Sequence, residues 1–276
     1  MIKADKYYID NINKILNKGS LDENPRPHYK DGTPAHTKFI TGVFEEYDIS
    51  KGEFPITTLR NTATKTGIKE IFWIYQKQSN SLEEARNLGV NWWDEWDIGN
   101  STIGNRYGHT IKKYDLVNKT LHNLKYHPFS RRHIIDMFQY DELNSSDGLD
   151  PCAYSTLYSV RRVDNDYYLD MTLLQRSNDY LMAGHINKIQ YVALQMMFAG
   201  HLGYKVGRFY HLIQNLHIYD RHLNAANEIL NRKPLDTQPV LQLTESKNFY
   251  DYTINDFKVK NIKDIKKIES NLEIAI

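Results

Sequence analysis

The sequence predicts a single α+β domain over residues 1–276, built around a large sheet with helices packed against it. Helical and strand patterns are mixed along the chain without regular βαβ alternation, which favours the α+β class. No internal repeat, low-complexity tract or flexible linker divides the chain. With 276 residues and 41% hydrophobic composition, the chain can bury a sizeable core without disulfides or a structural metal.

The N-terminal half mixes helical and extended patterns. Apolar residues at helical spacing predict a helix over residues 3–17, which Gly19 would end. The polar stretch 20–35 is rich in proline and predicts a loop. Ser81 and Glu84 have capping-box spacing at the start of a further helix. The remaining elements predicted here are a strand at 38–48 and helices at 61–78, 81–89 and 115–126.

The C-terminal half contains the strongest strand patterns. Two β-rich runs, 153–162 and 166–175, are joined at Asp164-Asn165-Asp166, which predicts a hairpin. The most apolar segment, 187–202, predicts a buried helix. The remaining predicted elements are strands at 132–138 and 206–218 and a helix at 219–231.

Charge and cysteine content narrow the class of protein. The formal net charge is +1, from 35 basic and 34 acidic side chains, whereas a protein that holds nucleic acid by counterion release usually has a basic excess. We therefore expect no obligatory nucleic-acid partner. The single cysteine forms no intrachain disulfide, and no signal peptide or long apolar run is evident. These features predict a cytoplasmic protein without a membrane partner.

Cys152 is the first candidate functional residue. A lone cysteine is most often a buried, inert thiol. Cys152 follows Pro151 at the mouth of a predicted strand, however, where a side chain can face a cleft. A nucleophilic cysteine needs a nearby cation to hold it as the thiolate, and Arg161, Arg162 and Arg176 lie in the same hairpin region.

A run of five polar residues, Gln175 to Asp179, ends the second strand of that hairpin. A polar turn would account for the run in part. The types of side chain also favour a ligand-binding role. Arg176 and Ser177 suit a phosphate, and Gln175 and Asp179 suit the edges of a ring.

Two further motifs allow more than one interpretation. Adjacent arginines such as Arg131 and Arg132 are usually solvated surface residues. Strand alternation places His217 and Tyr219 on one face, about two residue rises apart. They suit a clamp on a sugar hydroxyl, and equally a satisfied pair in the core.

Taken together and in order, these segments resemble the folate-dependent thymidylate synthase family. The matching stretches run along nearly the whole chain, and DGTPAHT at residues 31–37 is similar to the variant found in some bacteria and their phages. The stretches that carry the resemblance are FPITT at 54–58, KEIFW at 69–73, SN at 79–80, WWDEW at 92–96, IGNRYG at 103–108, SRRH at 130–133, PCAY at 151–154, LLQRSNDYLMAGHIN at 173–187, NLHIYDRH at 215–222 and EIAI at 273–276.

The resemblance implies a reaction, a fold and an assembly. The reaction is methylation of dUMP at C5, with 5,10-methylenetetrahydrofolate as carbon and hydride donor and with no metal. Addition of a thiolate to C6 of uracil divides one difficult step into easier ones. The implied fold is a large mixed β-sheet flanked by helices. The implied assembly is a homodimer with shared active sites.

The resemblance also implies roles for individual residues. Cys152 would be the nucleophile, and Arg176 would contact both the thiolate and the phosphate. Arg131 and Arg132 would be lent by each subunit to the phosphate site of the other, beside Ser177. Asn187 would bind uracil, His217 and Tyr219 would bind the ribose, and Glu70 and Tyr107 would take part in proton transfer. Asp179 and Trp93 would contact the folate, and Arg60 would contact its glutamate tail. Ile276 would belong to a C-terminal tail that closes over the ligands.

The chain departs from the family pattern at a few positions. Gly32 stands where the family commonly has a phosphate-binding loop arginine, and Arg26 is a candidate replacement. Ala153 follows the nucleophile where histidine is usual. The stretch between Gly108 and Asp115 is also shorter than usual, so we expect a trimmed peripheral loop.

Two alternatives remain at this point. A hydroxymethylase acting on dUMP or dCMP would use the same nucleophile and folate. Asn187 favours uracil, because an amide can turn to satisfy both N3–H and O4, whereas an acid would favour cytosine. The second alternative, a catalytically silent nucleotide-binding or RNA-binding protein, would not explain why Cys152, Glu70, Tyr107 and Asn187 occur together.

Overall fold

A six-stranded sheet forms the centre of the computed structural model, which describes residues 1–276. The strand order is β1-β2-β6-β5-β4-β3. β5 and β6 are parallel and the other neighbours are antiparallel, so the sheet is mixed as expected. Its strands are β1 Ser20–Leu21, β2 Thr37–Asp48, β3 Ile134–Asp136, β4 Ala153–Val163, β5 Asp166–Asp179 and β6 Lys205–Tyr219.

Eight α-helices and a small two-stranded sheet complete the fold. The small sheet pairs β7 Val240–Leu243 with β8 Phe257–Lys260. The helices are α1 Lys3–Lys18, α2 Thr64–Ile71, α3 Leu82–Asn87, α4 Gly108–Tyr114, α5 Leu116–Tyr126, α6 Tyr140–Leu143, α7 Gly184–Leu202 and α8 Leu223–Leu230.

Helix α7 is the central helix, as its apolar sequence predicts. Fourteen of its 19 residues are buried, and it packs on the sheet between the parallel strands that it connects. Parallel neighbours need such a crossover, because a tight turn cannot join their ends. Gly203 ends the helix in the left-handed conformation, with φ of 69°, which glycine adopts without steric penalty.

The predicted helix 61–78 differs from the structure in both extent and type. Regular α-helix covers only Thr64–Ile71, and a π-helical turn follows over Phe72–Gln76. The wider turn lies where Trp73 and Tyr75 are fully buried. Side-chain packing has therefore overridden local helix geometry there, and such turns are frequent at functional sites.

Other boundaries moved for reasons of strand pairing. The predicted strand 166–175 is longer in the structure, because the polar run Gln175–Asp179 continues the ladder with β6 as far as the pair Asp179–His217. The predicted helix 219–231 begins only at Leu223, since Tyr219 still pairs with Thr37. The predicted strand 132–138 shrinks to Ile134–Asp136. Five short elements have no counterpart in the sequence-based prediction: β1, which lies at the start of the predicted loop 20–35, and α4, α6, β7 and β8.

Candidate active site

The start of β4 and the carboxyl ends of β5 and β6 lie side by side, at the same end of these three neighbouring strands. β4 is antiparallel to β5, so the start of β4 lies beside the end of β5, with Ala153 opposite Gln175. β5 is parallel to β6, so their carboxyl ends lie side by side, with Ser177 opposite Asn215. This topology brings segments that are distant in sequence to one place.

A cavity of about 450 Å³ opens at this end of the strands. The start of α7, the end of α2 and the C-terminal residues of the chain complete its wall. Twelve of the residues predicted from the sequence line it: Glu70, Trp93, Tyr107, Cys152, Gln175, Arg176, Ser177, Asp179, Asn187, His217, Tyr219 and Ile276.

Cys152 lies immediately before β4 and is half-buried. Burial raises the pKa of its thiol, while the charges of Arg176 and Arg26 lower it. The Arg176 guanidinium donates to the carbonyls of Pro151 (3.0 Å) and Asp150 (2.7 Å), which fixes it beside the thiol. Of the candidate cations in the hairpin, only Arg176 belongs to this site.

The prediction that Arg161 and Arg162 lie near the thiol is wrong. Arg161 forms an ion pair with Asp170 at the other end of the hairpin, with one N···O distance of 3.0 Å. Arg162 donates to the carbonyl of Asp164 in the hairpin turn. They lie nine and ten residues along the chain from Cys152, which is on the order of 30 Å in an extended strand. Proximity in sequence along a strand therefore did not mean proximity in space.

Tyr107 lies against Cys152 in an unusual backbone conformation. The Cys152 backbone N–H donates to the Tyr107 hydroxyl over 3.2 Å. Tyr107 has φ of 49° and ψ of −108°, a region that costs on the order of 1–3 kcal/mol for a side-chain-bearing residue. Gly108 follows it, and a Cβ there would collide with the backbone of Ser79. The close approach at Gly108 holds the strained tyrosine against the thiol.

Glu70 is a buried carboxyl in the last turn of α2. Burial raises its pKa to about 7, and the hydrogen bond from the Trp92 indole opposes that rise. A group with a pKa near neutrality can both hold and release a proton under physiological conditions. Trp92 was not singled out from the sequence, although it belongs to the WWDEW motif.

Asn187 lies in the first turn of α7, within a set of amides. Its Oδ1 accepts from Gln175 Nε2 over 3.0 Å, and from Asn178 over a long 3.4 Å. Its Nδ2 donates to Gln190 Oε1 over 3.0 Å. Gln190 was missed by the sequence analysis, although its position three residues after Asn187 places it on the same helix face.

His217 and Tyr219 lie together at the end of β6, as strand alternation predicts. Their rings meet edge to face with centroids 5.3 Å apart. Asn215 Oδ1 lies 2.9 Å from His217 Nδ1, so Nδ1 donates and Nε2 remains an acceptor. Burial lowers the pKa of His217, which keeps the ring neutral.

The C-terminal residues close one side of the cavity. The backbone of Ile276 exchanges two hydrogen bonds with that of His28, of 3.0 and 2.7 Å. Asp179 stabilises the opposite wall, where its Oδ1 accepts from the backbone N–H groups of Leu181 and Met182, each over 3.1 Å.

Three predicted site residues lie outside the cavity of this chain. Arg131 and Arg132 are exposed on the segment before β3. Arg60 donates to the carbonyl of Leu181 and lines a second cavity. Arg26, named as a replacement for the missing loop arginine, does line the main cavity, whereas Gly32 does not.

Neither a metal-binding cluster nor a membrane-spanning helix is present in the structure. No group of three or more His, Cys, Asp or Glu side chains is arranged to hold a metal ion. No helix has the length and apolar character needed to cross a membrane.

The fold and the cavity together define a class of protein. A thiol beside a fixed guanidinium, a set of amides and a pair of ring hydrogen-bonding groups suit an enzyme that attacks the ring of a small phosphorylated molecule. The thymidylate synthase family model matches residues 6–274, and the chain belongs to that family.

Individual relatives support the assignment over nearly the full length. The chain is 52% identical over 270 residues to a thymidylate synthase of Streptococcus gordonii, covering 96% of this chain and 97% of that protein. A Streptococcus pneumoniae thymidylate synthase is 51% identical with the same coverage. Thermostable thymidylate synthase A from Bacillus subtilis superposes with a TM-score of 0.90, at 36% identity and 99% coverage of each chain.

Family membership confirms several predictions. The α+β fold, the methyltransferase class of enzyme and the thymidylate synthase interpretation are confirmed, and the hydroxymethylase alternative is not favoured.

Proposed function

We propose that this chain converts dUMP to dTMP by reductive methylation at C5 of uracil, with Cys152 as the nucleophile. The observation that supports it best is that one cavity brings together a thiol, a fixed guanidinium, an amide and a carboxyl whose pKa is near 7. These are the groups that the reaction requires. The co-substrate, 5,10-methylenetetrahydrofolate, supplies the one-carbon unit and the hydride.

The residues present fit a folate in this cavity. Its wall beyond Cys152 is formed by the aromatic and aliphatic side chains of Trp92, Trp93, Ile74 and Leu149, which suit a flat ring system. The Trp93 indole is buried beside Glu70 in this wall. We place Asp179 and Trp93 on the folate, with Arg60 towards its glutamate tail and Ile276 over it.

The first chemical step takes place at Cys152. Its thiolate adds to C6 of uracil, a C–S bond forms, and the electron pair of the C5–C6 double bond moves to C5 and O4. C5 thereby becomes nucleophilic enough to take the one-carbon unit. Release of product would require loss of the C5 proton, separation of the one-carbon unit from the folate nitrogen, delivery of the folate hydride to that carbon, and expulsion of the thiolate. Arg176 stabilises the anionic sulfur because it is fixed beside it.

Glu70 and Tyr107 handle protons around this adduct. Glu70 can organise a water near O4 because its raised pKa allows both protonation states. Tyr107 accepts a hydrogen bond from the backbone of Cys152, so its hydroxyl lies close to the reacting ring and is placed to assist removal of the C5 proton.

Recognition of dUMP is divided among the remaining residues. Arg176, Ser177 and Arg26 form the phosphate end, Gln175 and Asn187 the base end, and His217 and Tyr219 clamp the ribose. Arg131 and Arg132 are exposed and distant from their own cavity, so we assign them to the phosphate site of a second subunit.

A homodimer is part of this proposal. The face of the sheet turned away from the core exposes Phe44 (52%) and Leu212 (41%), which are neighbours across β2 and β6. Phe44 also stacks on Tyr210 with ring centroids 5.9 Å apart. Exposed aromatic and aliphatic groups of this kind suit a self-complementary contact between two copies.

We treat residues 1–276 as a single catalytic domain whose partners are dUMP, the folate and a second copy of the chain. No membrane, metal or obligatory nucleic acid is included. Catalysis requires a reduced thiol, so we place the activity in the cytoplasm.

The test is Cys152→Ala, which should abolish turnover and leave dUMP affinity within about threefold, because the arginines rather than the thiol hold the phosphate. Single-turnover formation of dihydrofolate and calorimetric dUMP binding give the two quantities. Cys152→Ser is the matched control, since it keeps a polar atom but a much weaker nucleophile. Turnover within tenfold of wild type in the alanine variant would remove Cys152 from its role.

A further inference from the structure

A cluster of buried ionisable side chains lies behind the cavity and has no part in the chemistry above. It consists of Glu45, Lys188 and His211, each with 0% exposure. Lys188 Nζ lies 2.8 Å from Glu45 Oε2, and Glu45 is the register partner of His211 across β2 and β6. Burying such groups is unfavourable unless hydrogen bonds and opposite charges compensate it.

His211 connects this cluster to the cavity through Gln175. His211 Nε2 lies 2.8 Å from Gln175 Oε1, and Gln175 Nε2 donates to the carbonyl of Ser177 over 3.0 Å. A backbone carbonyl only accepts, so this second bond determines which end of the Gln175 amide is nitrogen. Gln175 Oε1 therefore faces His211, and His211 donates to it.

The protonation state of His211 agrees with this direction. Burial lowers the pKa of His211 to about 3, with Glu45 opposing that change and Lys188 adding to it, so the ring is neutral and carries one proton. Nδ1 is buried and has no hydrogen-bond partner. A proton on Nδ1 would be an unmatched buried donor, whereas a proton on Nε2 is used.

The orientation of Gln175 determines what Asn187 offers to a ligand. Gln175 Nε2 donates to Asn187 Oδ1, so the Asn187 nitrogen turns to Gln190. The long contact from Asn178 leaves room at Oδ1, and Asn187 then presents one N–H and one acceptor site to the cavity. Uracil offers the complementary pair, O4 as acceptor and N3–H as donor. Cytosine offers the reverse pattern.

We propose that His211 is a positioning residue that, through Gln175, holds the Asn187 amide in the orientation that reads uracil rather than cytosine. The inference rests on the proposed role of Asn187 in binding the base. His211 itself does not touch the substrate.

The ion pair supports the same wall. Lys188 follows Asn187 in the first turn of α7, and its bond to Glu45 joins that turn to β2. Glu45 also accepts from Asn11, Tyr47 and Tyr180, over 3.0, 2.8 and 3.1 Å. Burial alone would raise the pKa of Glu45, but Lys188 and these hydrogen bonds hold it below its usual range. The helix turn that carries Asn187 is thus held by a satisfied carboxylate.

The test compares His211→Phe with His211→Gln. Phenylalanine keeps a ring but removes the donor, whereas glutamine keeps an N–H at similar reach. His211→Phe should raise KM for dUMP and narrow the preference for dUMP over dCMP, each by roughly 10- to 30-fold, because it leaves a buried acceptor unpaired. Its kcat should change less than its KM. His211→Gln should stay within about threefold of wild type in both quantities.

Two outcomes of the kinetic comparison would overturn the inference: an equal loss in both variants, or an unchanged KM and nucleotide preference in His211→Phe. Either outcome means that His211 only fills space.

A second measurement needs no variant. ¹⁵N-histidine NMR of the wild-type protein should show His211 protonated at Nε2 and not titrating between about pH 5 and 8. A proton on Nδ1 would refute the positioning role. A wild-type protein without dUMP turnover would instead refute the proposed function, and the tautomer would still decide this inference.

Discussion

Cys152, Glu70 and Tyr107 share one property, which is that burial raises the pKa of each. Burial therefore favours a neutral thiol and a neutral phenol, and it leaves the carboxyl near the midpoint of its titration at neutral pH. A neutral thiol is less readily oxidised than a thiolate. The reactive thiolate is then expected to form chiefly when substrate is bound, with Arg176 already in place beside the sulfur.

Glu70 gives a prediction about stability and pH. Its folded-state pKa, about 7, lies above the ordinary value of 4.5, so the protonated folded state is favoured and the associated stability is lost as pH rises from about 4.5 through 7. Glu70→Gln lacks this loss. Thermal unfolding between pH 5 and 8 should show the wild type losing about 2.5 kcal/mol relative to the variant.

The same variant should lose most of its turnover at every pH, because glutamine cannot transfer the proton. Glu84→Gln, on the exposed side of α3, is the matched control, and its stability difference from wild type should not change over this range. A constant difference between wild type and Glu70→Gln across pH 5 to 8 would show that the pKa of Glu70 is not raised.

At the scale of elements, four hydrogen bonds join the C-terminal tail, residues 273–276, to the rest of the chain. The backbone pair between Ile276 and His28 is supplemented by Glu273, which bonds Arg221 through its side chain and His222 through its carbonyl, each over 2.8 Å. These bonds join the tail to the loop that contains Arg26 and to the segment after β6. We propose that the tail, which lines the cavity, closes it after ligands enter.

Deletion of Ile276 should reduce kcat by about a hundredfold while changing dUMP affinity little. Loss of the last residue removes both backbone bonds to His28, and a closing segment completes a site rather than forming the first encounter. Ile276→Val keeps the backbone pair and is the control, with an expected kcat within about threefold. Full turnover by the truncated chain would show that the tail does not act as a lid here.

At the scale of the whole molecule, we propose that the exposed pair Arg131 and Arg132 contributes to the phosphate site of a second subunit. A chain with Arg131→Glu and Arg132→Glu keeps an intact Cys152, but its two new carboxylates would repel the phosphate of dUMP in the partner's site. A Cys152→Ala chain keeps sound arginines but lacks the nucleophile. Each homodimer should be nearly inactive, since its two sites carry the same defect.

Refolding the two chains together should restore activity. Statistical mixing makes about half of the dimers mixed, and each mixed dimer has one working site of two, so activity should return to roughly a quarter of the wild-type level. Sedimentation verifies dimer formation, and each parent refolded alone is the control. Efficient mixing without recovery would mean that the arginines act within their own chain or have no role.

The sequence by itself determined the elements whose signal is local. Helix α1, strands β2 and β6, the β4–β5 hairpin and helix α7 all follow from residue periodicity and turn chemistry, which act between near neighbours. Residue type and position alone made Cys152 and Arg176 candidates for the site, whereas the role of Asn187 was implied only by the family resemblance. Short elements such as α4 and β7 were missed, since a few residues carry too little periodic signal.

Only the tertiary structure decided which of these residues meet. Arg176 and Arg161 are equally plausible cations in the sequence, yet strand register places one beside the thiol and the other at the far end of the hairpin. Packing around Trp73 widened the helix after Glu70 into a π turn. The link from His211 to Asn187 likewise depends on the parallel pairing of β5 with β6. Such contacts arise from long-range pairing and burial, which no local pattern encodes.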